Sequence, residues 1–161
     1  MKKYFFNCFL LLIPILVWNV ILSKQLPQAF QPSFFWDRIP LLVKYGENIS
    51  RMIVFGLTCF MPLPIITATT KKGWWLYIFG TIVYFASWIV LIHFPTSSWS
   101  RSWWGFVAPA YTPLLWLLGI SLLGRSFYFN LPYKHWFFMI SALIFLAFHI
   151  YHTSLIFFRM Q

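Results

Sequence analysis

Five apolar stretches, residues 4–22, 49–67, 74–94, 106–124 and 136–158, carry almost no charge and take up most of the chain. Each is close to the ~20 residues with which a helix crosses a ~30 Å hydrocarbon core. Within that core the backbone must satisfy its own donors and acceptors, so only helices or a closed barrel are viable. Barrel strands alternate polar and apolar residues over ~10-residue segments, whereas LLLIPILVW and LIFLAF are apolar throughout. The expected fold is all-α: a polytopic integral membrane protein, one transmembrane helical domain over residues 1–161, built as a bundle of five transmembrane helices. Only 9% of the 161 residues are charged, against roughly a quarter in soluble domains, which excludes a water-soluble fold.

A net charge of +10 invites a nucleic-acid reading, but nucleic-acid binders cluster their cations on one face. Here they are scattered near span ends: Lys2, Lys3, Lys24, Arg51, Lys71, Lys72, Arg125, Lys134 and Arg159. Cations in those places anchor helices at headgroups. Membrane lipids are therefore the expected partners, and nucleic acid is not. Cys8 and Cys59 have no CxxC spacing, so neither a disulfide framework nor a zinc knuckle is expected. Lys2 and Lys3 before an apolar run imitate a signal peptide, yet no small-x-small site follows Leu22, and an uncleaved first helix is expected. Lys and Arg fall six and six on the two sides. The pair Lys2 and Lys3 favours the N-terminus inside and the C-terminus outside a bacterial-type cytoplasmic membrane.

Of the ten tryptophans, Trp36, Trp74, Trp75, Trp99, Trp103, Trp104 and Trp136 fall at span ends or in loops, as an aromatic belt does. The connection over residues 23–48 is too apolar to float free. The pattern predicts a short interfacial helix over residues 33–46, capped by Asp37, tolerating Pro40 in its first turn and ended by Gly46, with Asn48 capping the second span. Pro14, Pro62, Pro64, Pro109 and Pro113 fall within spans and are expected to kink them. Gly80, Gly119 and Gly124 permit close helix approach, without a GxxxG to argue for a dimer.

Five spans bring the start of the second, the end of the third, the start of the fourth and the end of the fifth to one membrane face. That face receives Glu47, Arg51, His93, Tyr111, His149 and His152, with one of the two carboxylates and three of the four histidines. Intramembrane ionisable groups are costly, roughly 2.5 to 3.5 kcal/mol at mid-span, and mark candidate sites. Glu47 and Arg51 are spaced i, i+4 for an ion pair, and His149 and His152 share a helical face. These six residues are the candidate ligand-binding set. A catalytic alternative uses His93, His149 and His152 with Glu47 as acid/base groups. HxxH fixes only two ligands, so no metal and no cofactor is assigned. No GxSxG or phosphate loop is present.

In size, five-helix count and tryptophan richness the chain is similar to the tryptophan-rich sensory proteins, or translocator proteins. That resemblance implies binding of porphyrins or sterol-like ligands. It is one of architecture: the segment LPQAFQPSFFWDRIPLLVKYGEN stands where the family's tryptophan- and proline-rich segment should be, and no family residue is carried over. The expected function is the binding or handling of a hydrophobic or amphiphilic small molecule or lipid from one leaflet. A lipid-acting enzyme using the histidines and a structural or assembly subunit are the alternatives. The oligomeric state is open.

Overall fold

Prolines and short polar side chains decide where this chain's helices begin and break. The computed structural model describes residues 5–129 and 133–161, and among them it is all-helical, with 73% helix and no strand. Asn7 Oδ1 accepts the Phe9 amide at 3.1 Å and caps a 3-10 turn, Cys8–Leu11, which leads into α1, Ile13–Leu22. Pro14 sits in the first turn of α1, where a missing N–H breaks no helical bond. It marks a join and not a kink. Tyr4, the first residue of the expected span, lies outside the described residues.

The interfacial helix expected over residues 33–46 is not one piece. The connection holds a 3-10 turn, Gln28–Phe30, and a single-turn α2, Pro32–Phe35. Arg38, at φ 51, then turns the chain, and α3, Leu41–Phe60, begins after an extended Pro40. Gly46 and Asn48 are inside α3, so neither ends nor caps a helix. The Phe148 ring occupies the space that a Cβ on residue 46 would need, which gives this mid-helix glycine its reason. The second span also shifts: expected over 49–67, the helix stops at Phe60 because Pro62 and Pro64 cannot donate to a helical ladder. The strip beyond is held by Cys8 N–H to the Met61 carbonyl, 2.8 Å, and Leu63 N–H to the Phe6 carbonyl, 2.9 Å.

α4, Lys71–His93, is continuous. Two single turns follow, α5, Ser98–Arg101, and α6, Trp103–Phe106; the fourth span, expected over residues 106–124, is instead broken into α7, Ala108–Tyr111, and α8, Pro113–Leu123, with Pro109 and Pro113 each in the first turn of its piece. α9, His135–Arg159, closes the fold. The most extensive helix contact is α4 on α8, followed by α3 on α9. Gly80 of α4 lies against the Trp116 backbone, and Gly119 of α8 against the Tyr77 backbone, a reciprocal contact of small residues that lets two helices approach. Tyr77 Oη donates to the Leu11 carbonyl and Tyr84 Oη to Asn19 Oδ1, both at 2.7 Å, tying α4 to the 3-10 turn and to α1.

Two helices, α4 and α9, are long and apolar enough to cross a membrane; Cys8–Leu22 and Ala108–Leu123 are apolar but shorter. α3 has the length and differs in charge, since it carries Lys44, Glu47 and Arg51. Its pattern is inverted relative to a soluble helix. The buried stripe is Val43, Glu47, Ser50, Val54 and Thr58, while Leu41, Leu42, Ile49, Met52 and Ile53 are exposed. Gly119→Leu is expected to lower unfolding free energy by about 1–3 kcal/mol through overpacking against Tyr77, read by thermal denaturation in detergent. An unchanged melting temperature would contradict the close α4–α8 approach.

Candidate functional site

The polar stripe of α3 meets the histidine face of α9, and Glu47 is the point of contact. Its side chain is fully buried, at 0% exposure. Arg51, one turn along, pairs with Oε1. His149 Nδ1 lies 3.0 Å from the same oxygen, and His152 Nδ1 lies 2.6 Å from Oε2. His152 Nε2 is 2.8 Å from the Phe35 carbonyl of α2. Aromatic rings pack around these groups. Phe145 stacks on His149 at 5.4 Å and also lies under the Arg51 guanidinium, 5.5 Å from the centroid; Phe35 and Trp36 contact the His152 ring at 4.0 and 4.7 Å.

Donor and acceptor roles follow from this geometry. A carbonyl only accepts, so His152 Nε2 carries a hydrogen and donates to Phe35. Nδ1 of the same ring faces Glu47 Oε2, and a hydrogen must lie between those atoms too, on one or the other. Glu47 and His152 together therefore hold one proton more than a carboxylate beside a neutral imidazole. Oε1 is left as an acceptor in either case, taking a hydrogen from Arg51 and one from His149 Nδ1. With His149 neutral, the cluster carries a single net positive charge. In that neutral form the donation from Nδ1 fixes the His149 tautomer and leaves its Nε2 as a bare acceptor.

The same face of α9 holds the connection down. Arg159 donates through Nη2 to the Phe34 carbonyl at 2.8 Å and through Nη1 to the Asp37 carbonyl at 2.5 Å, with its guanidinium 4.5 Å from the Phe34 ring centroid. Asp37, expected as a helix cap, instead pairs its carboxylate with Arg38 at 3.6 Å and Arg159 at 4.0 Å. Beneath the connection, Ala29, Phe106, Val107, Ala110, Ile156 and Phe157 form a second apolar core.

A chamber of about 150 Å³ opens beside the cluster, lined by Leu26, Phe30, Phe35, Trp88, Pro109, Ala110, His149 and Thr153. The Thr153 hydroxyl is spent on the His149 carbonyl at 2.9 Å, so among the lining side chains His149 Nε2 and the unpartnered indole N–H of Trp88 are the polar groups left for an occupant. An outer cavity of about 390 Å³, lined among others by Pro27, Leu91, Arg101, Phe106 and Phe157, lies toward the helix ends. Phe30 borders both. Its ring stacks on Phe106 at 4.8 Å and meets Trp88 edge-on at 5.1 Å.

Of the six residues singled out from sequence, the structure brings Glu47, Arg51, His149 and His152 together. His93 lies exposed at the end of α4. Tyr111 donates to the Trp104 carbonyl at 3.0 Å. Neither shares a hydrogen bond or ring contact with the cluster, so the catalytic set loses His93. Among the described residues no group of three or more His, Cys, Asp or Glu is arranged to hold a metal ion; the two imidazoles address the carboxylate and do not converge with it on a common point. The Phe35 carbonyl and Arg159 were not foreseen. A backbone acceptor leaves no mark in a sequence, although Arg159 does continue the His149 and His152 face.

No protein-family model, no curated protein and no solved structure matches the chain. The likeness to the tryptophan-rich sensory proteins thus stays with size and tryptophan content. Glu47→Ala would leave Arg51 and two histidines without their common acceptor. It is expected to cost about 3–5 kcal/mol of stability, the penalty for breaking a buried charge pair from one side. Denaturant titration in detergent reads this, and a loss within error would show that Glu47 does not hold α3 to α9.

Proposed function

We propose that this chain is a membrane-embedded protein that binds a hydrophobic or amphiphilic small molecule or lipid, with the apolar body in the His149 chamber and a hydroxyl or N–H group on His149 Nε2. The observation that carries the proposal is the chamber: apolar and aromatic on most sides, lined by an imidazole that a buried carboxylate orients and by the unpartnered indole N–H of Trp88. Ligand sites have this character, a mainly apolar wall with a few placed polar groups. An apolar cavity of about 150 Å³ accommodates a molecule of benzene size, and the outer cavity past Phe30 extends the available length.

The membrane reading draws on the inverted α3, which buries Glu47, Ser50 and Thr58 and exposes leucine, isoleucine and methionine. Exposed apolar surface on that scale suits lipid and not water. In this proposal all five apolar segments cross the membrane, α1 and α8 with the help of their flanking turns. The ligand enters from the leaflet that contains the connection between α1 and α3. An inside N-terminus in a cytoplasmic-type membrane belongs to the same proposal and rests on Lys2 and Lys3.

A second reading is favoured by one observation. His149, held by Glu47 through Nδ1 with Nε2 open, has the arrangement of a general base, and a lipid hydroxyl in the chamber would give it a proton to take. Native mass spectrometry of the chain in mild detergent, incubated with a polar lipid extract, separates these ideas. An organic adduct retained by the native chain, weakened about tenfold by His149→Ala and abolished by Ala110→Trp, supports binding. A bound species whose mass changes with time in the native chain but not in His149→Ala supports the enzyme. Adducts unaffected by both substitutions would overturn both readings and leave the cluster a tie between helices.

A further inference from the structure

The other end of the bundle carries cations with nothing in the chain to neutralise them. His135 begins α9, about 25 Å from His152 at the 1.5 Å helical rise. Arg125, Lys134 and His135 line one pocket of about 440 Å³, together with Ser121, Tyr133 and Trp136. Lys71 and Lys72 line a neighbouring groove with Trp75, Leu76 and Phe79. Leu122 is a wall of both, so the two adjoin. Arg125 is held in place: Nη2 donates to the Thr69 carbonyl at 2.8 Å and Nε to the Leu122 carbonyl at 3.4 Å.

The chain has two acidic residues. Glu47 is enclosed by Arg51, His149 and His152, and Asp37 is paired with Arg38 and Arg159, all at the far end. No carboxylate is left for Arg125, Lys134, Lys71 or Lys72. Their counter-charge has to come from outside the chain. The surface beside them is apolar and aromatic: Trp75 and Phe79 are exposed along α4, as Trp136 is on α9. An anion with a hydrocarbon continuation fits this surface, and a bare inorganic ion does not use it.

We propose that this end of the bundle is a binding site for an anionic phospholipid. The phosphate sits among Arg125, Lys134 and His135, Lys71 and Lys72 flank it, and an acyl chain runs along the Trp75 and Phe79 face of α4. Basic pockets between helices at headgroup depth hold anionic lipids in this way, and Arg suits phosphate by its fork of donors. The site rests on the membrane reading but not on the His149 chamber.

The test compares the full chain in mild detergent titrated with phosphatidylglycerol and with phosphatidylcholine of the same acyl chains, bound lipid being counted by native mass spectrometry. Phosphatidylglycerol is expected to bind on the order of tenfold more tightly, from the attraction of several cations. That preference should fall with added salt and shrink in Lys134→Gln and in Lys71→Gln/Lys72→Gln. The Lys134 side chain makes no capping hydrogen bond to α9, so its variant keeps the test valid if Arg125→Gln fails to fold. Equal binding of the two lipids, or a preference untouched by these variants, would overturn the headgroup site alone. Competition by soluble glycerol phosphate would make it a free-phosphate site and overturn the lipid proposal. Recovery of the chain in the aqueous fraction after alkaline extraction of membranes would overturn it together with the membrane reading.

Discussion

A buried carboxylate in an apolar bundle has to be matched, and the matching of Glu47 organises much of this structure. Removing an ion from water costs several kcal/mol unless opposite charge and hydrogen bonds replace the lost solvent. Arg51 supplies charge from the same helix, and His149 and His152 supply donors from α9. Because both oxygens are claimed by groups a turn apart on α9, the rotation and the axial register of α3 against α9 are set together. The requirement then passes outward: His152 needs an acceptor for its second nitrogen, and the Phe35 carbonyl provides it. One ionisable side chain thus links two long helices to the connection that covers them.

The connection is the consequence that matters for a ligand. Its own sequence offers little regular structure, a 3-10 turn and a single helical turn. It is placed by His152 and Arg159, and by Phe30 wedged among Phe106, Phe35 and Trp88. Aromatic and carbonyl contacts from distant parts of the chain do what a helix cap would do locally. The chamber exists because this segment bridges α4, α7 and α9 over a space that none of them fills. His149, with Nδ1 committed to Glu47, and Trp88, with an unpartnered indole N–H, both line it.

How far the sequence could be read depends on whether a signal was local. Apolar runs and their length made the helices legible, and the i, i+4 pair and the i, i+3 histidines made one face of the site legible. Topology added that Glu47 and the two histidines reach the same end. The helix breaks were less legible, since a proline kinks a helix or ends it according to what satisfies the freed carbonyls. For Pro62 the answer lies in contacts with residues 6 and 8, more than fifty positions away. His93 and Tyr111 were included because topology assigns an end of the bundle and not a direction around a helix. The folding of residues 23–40 was hidden because its ties come from α9.

The account stands on the orientation of His149 in this cluster. Nitrogen-15 NMR of the histidine-labelled chain in detergent, assigned by His93→Gln, His135→Gln and His152→Gln variants, observes it directly. His149 should show a protonated Nδ1 and an unprotonated Nε2, with a coupling of Nδ1–H to Glu47 that disappears in Glu47→Gln. A hydrogen on Nε2 with Nδ1 bare would mean that Glu47 does not orient this ring, and the chamber would lose the acceptor that its proposed ligand requires.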